Sequence, residues 1–180
     1  SYNSSDKNYI GFEIRDKGNP QLSWKGSSGS PSKLLFDQVN VCTGEWVHLA
    51  VTYDGQKGIC YVNGEAKQTI NLTGDIGTAF TLNSPTAIGG DFRTGNGYPF
   101  KGQIASAAIY ADTRDVGEVC ADMIKPDTDD QNLLVYYELN SSNASVIEDL
   151  SYKGEYDIAN PWIDNEEPEN YAYSFMVIGD

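Results

Sequence analysis

The chain has 180 residues, a formal net charge of −14 and a pI of about 4.2. That charge disfavours nucleic acid and anionic membrane surfaces as partners, and no apolar run approaches the roughly 20 residues of a spanning helix. Twelve Tyr, three Trp, six Phe and 18 Gly suit many short strands with glycine turns better than a helical bundle. One domain is the expected count, with enough chain to bury a two-layer core.

Residues 1–8 are polar, and the first residues do not resemble a signal peptide. Tyr9 to Arg15 alternates well enough for a strand, and Asp16 to Pro20 supplies a turn rich in Gly, Asn and Pro. Leu22 to Lys25 and Leu34 to Val41 are further strand candidates, separated by a Gly/Ser/Pro loop. The chain is organised around the next stretch, Trp46 to Gly64. Val47, Leu49, Val51 and Tyr53 alternate with His48, Ala50 and Thr52, which predicts one apolar row against a core. Asp54-Gly55 turns the chain, Ile59, Tyr61 and Val62 return it, and Asn63-Gly64 signals a second tight turn. Ala66 to Leu72, Phe80 to Leu82, Thr86 to Ile88 and Gln103 to Tyr110 read as more strands. Short runs with turn signals between them predict a sandwich of two sheets.

One helix interrupts the pattern. Asp112-Thr113 is its expected cap, and Val116, Val119, Cys120, Met123 and Ile124 recur at helical spacing through Lys125, before Pro126. Asp127 to Asp130 reads as a solvated acidic turn, and Asn132 to Leu139 as a strongly apolar strand. Asp164 to Asn170 has the charge and proline of an exposed linker. The final run, Tyr171 to Asp180, is abruptly apolar and reads as a buried strand interrupted by the end of the chain. Cys42, Cys60 and Cys120 show no metal-ligand spacing and predict isolated thiols. Four sequons begin at Asn3, Asn71, Asn140 and Asn143, and in a chain so rich in Asn, Ser and Thr chance explains them as well as glycosylation does.

Trp46, His48, Tyr53-Asp54-Gly55 and Tyr61-Val62-Asn63-Gly64 together resemble the central hairpin of bacterial laminin-G-like, concanavalin A-like jelly-roll modules. Ile88-Gly89-Gly90-Asp91 and Phe100-Lys101-Gly102-Gln103-Ile104 with Ile109-Tyr110 resemble later motifs of that family, in the right order, over about residues 9–139. The resemblance implies an all-β, two-sheet antiparallel jelly roll with one short helix. An opening aromatic strand usual in the family has no counterpart before Tyr9. The chain therefore starts inside the module, or another segment, such as Asn132 to Leu139 with Asp149-Leu150-Ser151, takes that place. Phe175 to Asp180 separately resembles the first strand of a calcineurin-like metallophosphoesterase. These readings divide the chain into a jelly roll over 1–160 and a linker with a possible first strand of a catalytic neighbour over 161–180.

Catalysis by this chain is not expected. A two-metal phosphoesterase needs several His and Asp ligands, and His48 is the one His present. Within a strand, His48 reads as a hydrogen-bonded or half-buried core residue. No GxSxG elbow occurs, and Glu65, Glu118 and Glu138 fall in a turn, a helix and a strand rather than on one cleft wall. Binding remains. In the loop Asp91 to Pro99, Phe92 and Tyr98 offer stacking faces to a sugar, and Arg93 and Asn96 offer directional hydrogen bonds. The plainer reading is a wide turn whose aromatics cover the core edge. The family sometimes uses calcium, and Asp91, after two glycines, is the side chain expected to ligate it. The sequence thus implies a non-catalytic module for a glycan or cell-surface ligand, part of an extracellular or surface-attached protein. A spacer that packs on its catalytic neighbour without a small ligand is the alternative.

Overall fold

The computed structural model describes residues 9–25, 30–74, 88–90, 100–140, 146–155, 157–159 and 172–177. Its frame is the predicted hairpin: β4 (His48–Tyr53) pairs antiparallel with β5 (Lys57–Val62), and β5 with β6 (Glu65–Asn71). The sequence dictates both turns. The Asp54 carboxylate accepts from the backbone N–H of Gln56 at 2.9 Å and of Lys57 at 2.7 Å, which also holds its pKa below the ordinary value. Asn63 and Gly64 both take positive φ, 52° and 78°, the pairing that a primed two-residue turn demands.

A second antiparallel sheet runs β1 (Tyr9–Ile14), β2 (Pro20–Lys25), β3 (Ser32–Leu35). Its inward row, with Leu22, Trp24 and Leu34, packs on Leu49, Val51, Tyr53 and Cys60 of the hairpin. Gly58 permits this closure, because a Cβ there would strike the Leu34 side chain. The strand expected over Leu34 to Val41 stops at Leu35. Hydrogen bonds from Asp37 N to Leu35 O and from Val39 N to Phe36 O turn the chain, yet Phe36, Val39 and Val41 are all buried. Three apolar positions at irregular spacing mimic a strand in sequence but form a buried turn.

The single apolar row expected on β4 is a correction of another kind: both faces of that strand are covered. Ala50, opposite Tyr61, joins a second cluster with Ala108, Tyr110, Val119, Leu133 and Tyr136. Tyr110 and Leu133 lie on an antiparallel pair, β8 (Ser106–Tyr110) with β9 (Leu133–Glu138). The strand expected over Gln103 to Tyr110 is broken at Ala105, whose carbonyl accepts from Leu139 N, leaving β7 (Gln103–Ile104) separate. A two-strand ribbon, β10 (Val146–Ile147) with β11 (Ile158–Ala159), follows. The strand candidate Phe80 to Leu82 lies outside the described residues, as does Thr86 to Ile88 except for Ile88, which is in a bend.

The last described strand, β12 (Ala172–Val177), runs parallel to both of its neighbours, β4 and β7, and joins them into the order β6-β5-β4-β12-β7. It takes the place beside β4. Asn132 to Leu139, the segment considered for a missing strand, pairs with β8 instead.

The helix α1 spans Val116–Ile124, shorter than expected, and starts from Asp115 rather than Asp112-Thr113. Asp115 accepts from Glu118 N at 2.9 Å while the Glu118 carboxylate accepts from Asp115 N at 2.8 Å, a reciprocal capping box. Its buried residues are Val119 and Asp122, whereas Val116, Met123 and Ile124 of the predicted apolar stripe are exposed. An ion pair, not the apolar period, sets the rotation of this helix.

Candidate ligand-binding face and charged core

The expected site residues, Phe92, Arg93, Asn96 and Tyr98 for a sugar and Asp91 for a metal, lie outside the described residues. The stem of their loop is described. Phe100 N donates to Gly89 O at 2.7 Å, and Gly89 takes φ 80°, so the chain leaves and re-enters at one point. No group of three His, Cys, Asp or Glu among the described residues is placed to hold a metal ion.

A polar surface missed in the sequence lies on the outward row of β1–β3. Strand register brings Gly11 opposite Ser23, Glu13 opposite Gln21, and Ser23 opposite Lys33. Ser23 Oγ donates to Glu13 Oε1 at 3.2 Å, and Gln21 Nε2 and Arg15 Nη1 donate to Oε2 at 3.5 and 3.1 Å. Gln21 and Ser23 are buried, while Glu13 keeps 29% of its side chain in contact with solvent. Their donors fix the carboxylate in its place on the row. Gly11 leaves the row low at its centre. The signal was present as alternation: each polar residue of YIGFEIR and QLSWK is out of phase with an apolar one.

The charged residues group elsewhere, inside the molecule. Arg114, 8% exposed, holds Asp122 with two hydrogen bonds, Nε to Oδ2 at 3.0 Å and Nη2 to Oδ1 at 3.2 Å. Nη1 reaches Asp130 at 2.8 Å and Asp112 at 3.5 Å, and Glu118 Oε1 lies 3.6 Å away. The guanidinium carbon sits 4.0 Å over the Tyr110 ring. Burial alone would lower the Arg114 pKa, but the Asp122 carboxylate outweighs it and holds the value above the ordinary one. Burial first, and then the Asp122 charge, pushes the Tyr110 phenol up. Asp130 is therefore not a residue of a merely solvated turn.

His48 borders this cluster. Neither ring nitrogen has a hydrogen-bond partner among the described residues, so of the two expected forms His48 takes the half-buried one, with its ring nitrogens shielded from solvent. Burial lowers its pKa to about 4, against an opposing pull from Asp122. Above the unfolded value, near 6.5, both states are neutral; below it the unfolded chain binds a proton that the folded chain refuses. Stability is therefore lost between pH about 6.5 and about 4, by up to roughly 3 kcal/mol. Urea melts of wild type and His48→Gln at both ends of that window give the test, since the variant lacks this part of the slope. Equal slopes would place the imidazole in water.

The three thiols are free, with Cys42 exposed, Cys60 buried and Cys120 half-buried. Burial raises Cys60 to about 12, which leaves it protonated and unreactive.

The described strands pack mostly as antiparallel sheets with one short helix, the build of a concanavalin A-like all-β sandwich. Residues 1–120, two thirds of the chain, match the laminin G family described as the concanavalin A-like lectin/glucanases superfamily, and the chain belongs to that family. Domains of this kind are generally non-catalytic binding modules, and the class points to a carbohydrate-binding or structural role. Searches of curated proteins and of solved structures gave no match.

Proposed function

We propose that this chain is a non-catalytic module that binds glycans or glycan-bearing surfaces. The observation that carries the reading is the outward polar row of β1–β3, a fixed carboxylate on a broad sheet in a lectin-like fold. Sugar hydroxyls are recognised by fixed donors and acceptors beside an aromatic face. Glu13, with Gln21 and Ser23 holding it, supplies the first, and Tyr9 lies on the same row. The loop of Phe92, Arg93, Asn96 and Tyr98 is the second contact, with Asp91 as ligand of a bound Ca²⁺. A glycan array identifies the ligand. Glu13→Ala is then expected to weaken it by about 1.5–3 kcal/mol, the range for hydrogen bonds to a charged group, and Tyr98→Ala by about 1–3 kcal/mol. With Ca²⁺ at 100 times its dissociation constant, linkage adds roughly 2.7 kcal/mol of stability, which EDTA or Asp91→Asn removes. No array signal at millimolar glycan, with a melting curve indifferent to EDTA, favours a spacer instead.

The reading extends to an accessory module of a longer extracellular or surface-attached bacterial protein, with a metallophosphoesterase as its neighbour. Phe175 to Asp180 supports this by resemblance. One strand cannot pair in two sheets at once, so the extension requires β12 to leave its place between β4 and β7. The residues encoded after Asp180 test it.

A further inference from the structure

Within its sheet, β12 is held by backbone pairing to two strands that do not pair with each other. Ser174, Phe175, Met176 and Val177 align with His48, Leu49, Ala50 and Val51, and Ala172 and Tyr173 with Gln103 and Ile104. Taking β12 away uncovers two rows of backbone donors and acceptors at once, one on β4 and one on β7. Such a slot selects an extended, uncharged strand of about six residues, and the resident sequence, AYSFMV, carries no charge.

We infer that the slot between β4 and β7 is a strand-acceptor site, and that the β12 segment of a second copy of this chain can occupy it. Two observations point to that occupant. A segment that fits the slot within one copy fits it equally from another. Twelve residues, 160–171, connect β11 to β12, and at full extension they span about 40 Å, the breadth of a chain this size. Exchange in both directions yields a closed dimer with two-fold symmetry.

Mass action sets the scale. A tether of this length holds β12 at an effective concentration of order millimolar, so the dimer grows as total protein approaches that value. With −14 on each copy, salt should promote it. The test measures the mass of the full chain in solution against protein and salt concentration. In parallel, a fluorescent peptide with the sequence of residues 171–180 is titrated into the same chain. The expected result is a dimer that rises with both concentrations, together with saturable uptake of the peptide. The unlabelled peptide should displace the label and dissociate the dimer, and a scrambled peptide should do neither. Met176→Pro, which removes a backbone donor where a paired strand needs one, should abolish the dimer. If that variant fails to fold, the peptide experiment on the unmodified chain still decides. A chain that stays monomeric and takes up no peptide overturns the proposal. A dimer that ignores the peptide overturns it too, because the copies then meet elsewhere. Peptide uptake without any dimer overturns the choice of a second copy as the occupant.

Discussion

Arg114→Met is expected to cost about 3–5 kcal/mol, because it leaves Asp122, 4% exposed, as a buried charge without its partner. Domains of ordinary stability have only about 5–15 kcal/mol to lose, so the variant should unfold at a much lower urea concentration. The reason is the asymmetry between removing a pair and breaking one. Methionine keeps much of the volume of arginine and its contact with Tyr110, but it cannot satisfy two carboxylate oxygens. The double variant Arg114→Met/Asp122→Leu removes both charges, and should recover most of the loss. Arg114→Lys should recover little, since a single ammonium cannot reproduce the paired Nε and Nη2 contacts. A loss below about 1 kcal/mol for Arg114→Met would put this network in the class of exposed ion pairs.

The same network explains what the sequence could and could not disclose. The hairpin was legible because its signals are local: alternation from Val47 to Tyr53, then Asp54-Gly55 and Asn63-Gly64, whose turn geometry depends on those residues alone. The helix was legible in existence but not in orientation. Its apolar stripe pointed to Val116, Val119, Cys120, Met123 and Ile124 as the inward side, but only Val119 is buried and Cys120 half-buried, and the other three are exposed. Arg114 instead draws in Asp122, and residue 130, sixteen positions along the chain, completes the cluster. A partner at that distance leaves no periodic trace. The capping box did leave one, as Asp115 and Glu118 three residues apart before an apolar run, and it outranks the Asp112-Thr113 alternative once read.

Coverage of both faces of β4 was hidden for a different reason. Alternation separates residues into two rows, but Ala50 and Thr52 are small or hydroxylated and read as outward. Only the arrival of α1 and of the β8–β9 pair makes that row internal. The outward row of β1–β3 was similarly overlooked, because Glu13, Gln21 and Ser23 become an array only through cross-strand register. Parallel entry of β12 beside β4 has no local signature at all; the apolar composition of the run announces burial, not the neighbour.

Trp24→Ala is expected to have the other large effect, and it tests the joint between the two sheets. Trp24 is 2% exposed, and its ring centroid lies 4.8 Å from that of Tyr53, tilted by 43°. Removing a buried aromatic of this size costs about 3–5 kcal/mol through lost transfer and an unfilled cavity. The tilted ring pair carries about 0.5–1.5 kcal/mol beyond its area. The second ring is itself fixed, since Tyr53 Oη lies 2.8 Å from Leu72 O and 2.9 Å from Gly74 O. Tyr53→Phe keeps the ring and removes only that anchor, so its cost should be about 0.5–1.5 kcal/mol. The anchor matters to Trp24 only if it holds the ring in place, and the double variant reads this directly. Neighbours in contact couple by roughly 0.5–3 kcal/mol, so Trp24→Ala/Tyr53→Phe should lose less than the two single losses combined. Strict additivity would mean that the hydroxyl fixes the strand end after Leu72 and leaves the ring contact between the sheets untouched.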